Sequence, residues 1–150
     1  MSTRPEIDLA KRRLEELISF FGSSADIEAH ETDGRIELDI TSDATGKLIG
    51  HRGETLRSLE YLLSMMMKET APNTRFSIDV AGYRKARAHQ LTEYAQNMAA
   101  KVVASGEEIT LRPMNAAERR LVHMALADNT EVETESRGED PHRRTVIKKR

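Results

Sequence analysis

The chain has 150 residues, 38% of them hydrophobic and 32% charged, enough to bury one substantial core or two small ones. It contains no cysteine, which excludes a disulfide framework, a thiolate nucleophile and a Cys-based zinc site. A formal net charge of -2 argues against the strongly basic surface of an indiscriminate nucleic-acid binder.

No apolar run approaches the roughly 18 residues that span a bilayer. The N-terminus, Met1-Ser2-Thr3-Arg4-Pro5, lacks the apolar core of a signal peptide, so a soluble cytoplasmic protein without direct membrane insertion is expected. Charge is unevenly spread, however. Residues 1–42 carry 5 Lys/Arg against 10 Asp/Glu, residues 71–105 carry 5 against 2, and Arg143 to Arg150 hold five basic residues and no acid. That asymmetry fits an acidic back with a basic binding edge, and it also fits a solvated tail.

In chain order, Ile7, Ala10, Leu14, Leu17, Ile18 and Phe21 recur at helical spacing, with Gly22 as a stop. Ala25, Ile27 and Ala29, then Ile36, Leu38 and Ile40, alternate on either side of Thr32-Asp33-Gly34 and predict a β-hairpin. Ser42 or Asp43 can cap a short helix ending near Ile49. Leu56, Leu59, Leu63 and Met66 mark a longer helix to about Lys68, and Phe76, Ile78 and Val80 a third strand. The first unit thus reads αββααβ.

The stripe Leu91, Tyr94, Met98 and Val102 predicts a long connecting helix from Tyr83 to Ala104, with Gly106 beyond it. A short strand at Ile109 and Leu111 follows, then a helix from Ala116 to about Ala127 capped by Asn115. Strands around Val132 to Arg137 and Arg143 to Lys148 complete a small α+β unit.

Two motifs stand out. In Gly46-Lys47-Leu48-Ile49-Gly50-His51-Arg52-Gly53-Glu54-Thr55-Leu56, two glycines bracket a His-Arg pair between helices. Glycines there let main-chain amides and a helix start approach an anion closely, while Arg52 supplies charge. In the second unit Arg119 and His123 stand four apart, neighbours on one helix face. With Ala117, Leu121, Met124 and Ala125 as the expected buried stripe, both would point outward, either as a binding pair or as two solvated residues.

The αββααβ order with Gly50-His51-Arg52-Gly53 between its central helices resembles a type II KH domain, whose GXXG loop clamps the backbone of single-stranded nucleic acid. Arg119-x-x-x-His123, followed by Ser136-Arg137-Gly138 and the basic strand Arg143 to Lys148, resembles an R-three-H domain. The combination is similar to the bacterial Jag family, also called SpoIIIJ-associated proteins, over about residues 4 to 150. The expected organisation is α+β: a KH domain over 1–82, then the connecting helix and R-three-H domain over 83–150. Jag proteins often carry a further N-terminal domain, and any function residing there is expected to be absent or borne elsewhere.

The resemblance implies RNA binding, extending to single-stranded DNA, without chemistry on the RNA. It assigns Gly50, His51, Arg52 and Gly53 to backbone contact, with Lys47 and Arg57 in support. In the second unit it brings Arg119 and His123 to the binding surface, with Arg137, Arg143, Arg144 and Lys148 as phosphate contacts. Leu48 and Ile49 fall where the family places groove-lining aliphatics, and equally where a core would want them. It further implies a post-transcriptional regulator or RNA chaperone linked to envelope growth and division. The partner implied is a small lone-KH-domain protein, or a second copy of the chain, and pairing could be the main role.

Three Phe and three Tyr are too few for a base-stacking platform, so affinity should rest on phosphates. Enzymatic readings find little support. A phosphate-binding GxxxxGK[ST] would need Gly at Thr41 and Ser or Thr at Leu48, and both fail. His30, His51, His89, His123 and His142 lack metal-ligand spacing, and no cofactor is expected.

Overall fold

The computed structural model describes residues 4–150. The chain divides into two compact units, the first ending at Arg84 and the second beginning at Lys85.

The first unit opens with α1 (Pro5–Ser19). Pro5 suits a first turn, where its missing N–H would have no partner, and Glu6 and Asp8 complement the positive end of the helix. Ala10, Leu14 and Ile18 form its buried stripe. Strands β1 (Ala25–Thr32) and β2 (Arg35–Ser42) pair antiparallel around Asp33 and Gly34. Both turn residues have positive φ, 50° and 74°, the two-residue geometry that matches strand twist. After α2 (Thr45–Ile49) and α3 (Glu54–Met67), β3 (Arg75–Val80) pairs parallel with β2, giving the sheet order β1-β2-β3.

Period-two alternation places Ile36, Leu38 and Ile40 of β2 beside Phe76, Ile78 and Val80 of β3, all buried. They join Leu56, Leu59, Leu63 and Met67 of α3 and the α1 stripe in one core. Each buried aliphatic contributes about 1.5–3 kcal/mol of burial free energy. The open edge of β3 is closed by side chains. Glu60 accepts from the Ile78 amide at 2.9 Å, and Arg84 Nε donates to the Ile78 carbonyl at 2.9 Å while ion-pairing with Glu60. An edge residue is thereby denied to an incoming strand.

The second unit contains most of α4 (Tyr83–Ser105), β4 (Ile109–Thr110), α5 (Ala116–Ala125), β5 (Val132–Arg137) and β6 (Arg144–Lys149). Its sheet order is β4-β6-β5, antiparallel throughout. Leu91, Ala95, Ala99 and Val102 of α4 meet Leu111, Met114, Val122, Leu126, Val132 and Ile147 in a second core.

Three expectations are corrected at this level. Met66, expected in the α3 stripe, is exposed, and Met67 is buried in its place. Tyr94 and Met98 lie at the edge of the α4 stripe, whose centre is the small pair Ala95 and Ala99. At α2 the N-cap is Ala44, without a side-chain cap. Ser42 Oγ accepts from the Ala44 amide at 3.1 Å, one residue too early to cap the helix itself.

Candidate nucleic-acid interface

The first candidate site is the turn between α2 and α3. Gly50 has φ 71° and ψ −175°, a conformation essentially closed to residues with a Cβ. His51–Gly53 form a single 3-10 turn in which Arg52 is left-handed at φ 52°, ψ 31°, and Gly53 follows at φ 76°, ψ 16°. Left-handed backbone costs a non-glycine residue about 1–2 kcal/mol, so holding Arg52 there is a local strain the surroundings must sustain.

Those surroundings are visible. A Cβ on Gly53 would lie 2.9 Å from Cε1 of Tyr83, a side chain packed on the first core. A Cβ on Gly50 would lie 2.2 Å from Thr55 Oγ1 and 2.9 Å from the Thr55 amide nitrogen. Arg57 Nη1 donates to the Arg52 carbonyl at 3.0 Å, so this cation braces the turn. His51 and Lys47 are exposed and Arg52 is half-buried. Among the described residues no side chain caps α3, whose first amides and dipole therefore offer an anion a place at the turn. Lys47, Gly50, His51, Arg52, Gly53 and Arg57 are thus all carried by one short stretch of chain.

Leu48 is fully buried in the core and Ile49 only partly, so of the two only Ile49 can border a groove. On α3, Tyr61, Leu62, Met65 and Met66 form a second, exposed apolar stripe, opposite the buried Leu59, Leu63 and Met67. An open groove of about 620 Å³ runs along this side, lined by Glu54, Arg57, Ser58, Tyr61 and Leu62.

In the second unit the structure corrects the phase of α5. Its buried residues are Glu118, Arg119 and Val122, with Leu126 just beyond, whereas Ala117 and Met124 are exposed. Arg119 therefore points inward. Its Nη1 donates to the Met114 carbonyl at 2.6 Å and to Asp140 Oδ1 at 2.9 Å. Glu118 is neutralised by Arg87 Nε at 2.9 Å. Charged side chains occupy core-facing positions because each has a partner there.

His123 is half-buried rather than outward, with Nδ1 2.6 Å from Thr134 Oγ1 and Nε2 3.0 Å from Ser136 Oγ. Burial, and then the neighbouring Arg119 charge, hold its pKa below the ordinary 6.5, which favours the neutral ring. An open groove of about 470 Å³ collects Arg119, Arg120, His123, Ser136 and Arg143. Of its polar residues, Arg120 and Ser136 are the two that the sequence does not assign to contact. Phasing α5 by Val122 and Leu126 would have found the first.

The remaining expected residues lie on the other face of the sheet. Strand alternation and register put Glu133, Glu135, Arg137, Arg144 and Lys148 together, away from the Thr134 and Ser136 side that meets α5. Arg137 is ion-paired with Glu108 and Glu135, and Lys148 with Glu133 and Glu135. These pairings raise the pKa of both cations and lower those of Glu108 and Glu135. Arg137 and Lys148 would have to leave carboxylates to meet a phosphate. Among the described residues, no group of three His, Asp or Glu side chains is placed to hold a metal ion, and no helix is long and apolar enough to cross a membrane.

A turn of this kind in an αββααβ unit, followed by an α+β unit carrying the Arg119 and His123 pair, defines a KH and R-three-H protein. Residues 11–80 match the family described as KhpA/KhpB, KH domain, and residues 89–149 match the R-three-H domain. The chain is 35% identical to the RNA-binding protein KhpB of Clostridium symbiosum, covering 98% of this chain and 72% of that protein. The KhpB of Lactiplantibacillus plantarum is 34% identical over 87% of this chain and 41% of its own length; that of Bacillus subtilis is 29% identical over 94% and 69%. The chain belongs to the KhpB family, which includes the proteins called Jag.

Proposed function

We propose that this chain is a non-catalytic, cytoplasmic binder of single-stranded RNA that acts as a post-transcriptional regulator or RNA chaperone. Residues 1–82 work as a type II KH domain and residues 83–150 as the R-three-H domain with its leading helix. The observation that carries this reading is the turn at Gly50 to Gly53. It spends strain on Arg52, excludes side chains at both glycines, and presents His51 beside an uncapped helix start. Lys47 and Arg57 support it, and Arg119, His123 and Arg143 add the groove of the second unit. Related proteins bearing the name RNA-binding protein KhpB favour RNA over other anions. Arg137, Arg144 and Lys148, on the other face of that sheet among Glu133 and Glu135, would join only where Arg137 and Lys148 exchange their carboxylates for phosphate.

Binding dominated by phosphates releases counterions. With about four phosphate contacts on a single strand, the logarithmic salt slope is about −2.8, or roughly 50-fold weaker binding at 200 mM than at 50 mM salt. Fluorescence anisotropy of a labelled single-stranded RNA pool measures this directly. An affinity indifferent to salt would contradict the reading.

A second reading, protein pairing, is favoured by the exposed stripe Tyr61, Leu62, Met65 and Met66. Its occupant would be another KH-type unit, from a lone-KH protein or a second copy of this chain. Sedimentation should then show a complex that Leu62→Glu/Met65→Glu abolishes while the variant stays folded. A wild-type chain that remains monomeric alone and with a lone-KH protein would end that reading.

A further inference from the structure

In the groove of the second unit, the two residues that resemble the binding signature are engaged in hydrogen bonds within the fold. The Arg119 side chain is 9% exposed and held by the Met114 carbonyl and Asp140. Both ring nitrogens of His123 stand against the hydroxyls of Thr134 and Ser136. The groups facing the opening are different. Among the described residues, the exposed Arg120 side chain makes no hydrogen bond or ion pair, and half-buried Arg143, which also lines the groove, has an Nε without a hydrogen-bond partner.

The His123 contacts have a polarity. A neutral imidazole has one donor and one acceptor, so one hydroxyl must donate to the ring and the other accept from it. Thr134 does not line the groove and Ser136 does. When Thr134 donates to Nδ1 and Nε2–H donates to Ser136 Oγ, the Ser136 hydroxyl proton is left to point into the groove. The opposite tautomer would turn lone pairs toward the opening, which suits an anion badly. A phosphate entering the groove therefore selects the first arrangement.

We propose that Arg120, Arg143 and the Ser136 hydroxyl are the groups of the second unit that contact a backbone phosphate of single-stranded RNA, and that Arg119 and His123 are positioning residues. This rests on the RNA-binding reading above and deepens it. Arg119 ties the start of α5 and Asp140 together, and His123 sets the direction of the Ser136 proton.

The test is anisotropy titration of single-stranded RNA by the full chain across a salt series, using wild type, Arg120→Ala, Ser136→Ala and Arg119→Met. Circular dichroism checks that each is folded. Arg120→Ala should weaken binding about tenfold and make the salt slope shallower by about 0.7, the loss of one phosphate contact. Ser136→Ala should weaken binding about threefold with the slope unchanged, since a neutral donor displaces no counterion. Arg119→Met should weaken binding without altering the slope, because no phosphate contact is lost.

A slope that falls with Arg119→Met and not with Arg120→Ala would overturn the assignment. If Arg119→Met fails to fold, wild-type affinity and slope in both Arg120→Ala and Ser136→Ala overturn it just as well. A wild-type chain that binds no single-stranded RNA would instead remove the functional reading itself.

Discussion

His51→Asp/Arg52→Asp is expected to weaken single-stranded RNA binding by about 100-fold while leaving the first unit folded. Two charge-assisted contacts at about 1.5 kcal/mol each amount to about 3 kcal/mol, or roughly two decades in affinity. The added carboxylates would further repel phosphate. Folding should survive because His51 is exposed and because Asp tolerates the left-handed backbone of residue 52 better than most side chains. The brace from Arg57 goes to the main-chain carbonyl of Arg52 and does not depend on that side chain. Anisotropy measures the binding, and the far-ultraviolet circular dichroism spectrum the fold. A folded double variant that binds like wild type would show that the turn is merely structural.

Gly50→Ala is expected to be the most damaging small substitution in the turn, for reasons of geometry rather than charge. The new Cβ would meet Thr55 Oγ1 at 2.2 Å, Thr55 Cβ at 2.8 Å and the Thr55 amide nitrogen at 2.9 Å. The residue would also have to hold φ +71°. Strain and overpacking of about 1–3 kcal/mol each give a loss of roughly 3 kcal/mol. In a domain of this size that lowers the melting temperature by about 15 °C. Thr55→Ala added to it should recover only part of the loss, because the backbone contact and the φ remain.

Gly46→Ala is the matched contrast. Its Cβ would meet nothing within 4 Å, and inside α2 alanine favours the helix by about 1 kcal/mol over glycine. Equal melting temperatures for Gly46→Ala and Gly50→Ala would contradict this account of the turn.

Much of the first unit was legible because its signals are local. Ile36, Leu38 and Ile40 alternate within one strand, Asp33-Gly34 sits between two such runs, and Gly50 and Gly53 flank a pair of polar residues between helices. Each of those patterns spans less than a dozen residues and needs no distant partner. The phase of α5 was not legible for the opposite reason. Its inward face carries Glu118 and Arg119, whose charges are compensated by Arg87 and Asp140, 31 and 21 residues away in the chain.

Apolar periodicity assigns such positions to solvent, and so puts Ala117 and Met124 in the core and Arg119 at the surface. The same long range hides the ion pairs of Arg137 and Lys148, whose carboxylates come from Glu108 and from the strand face of Glu133 and Glu135. A basic terminal strand reads as available charge until its neighbours across the sheet are known.

The central claim is that RNA is held at the Gly50–Gly53 turn, and amide chemical shifts test it most directly. A ¹⁵N-labelled chain titrated with a short single-stranded oligoribonucleotide should show its largest shifts from Gly46 to Leu56, with a second set near Arg120, Ser136 and Arg143. Shifts confined to the Tyr61 to Met66 side of α3, with the turn unmoved at saturating RNA, would contradict it.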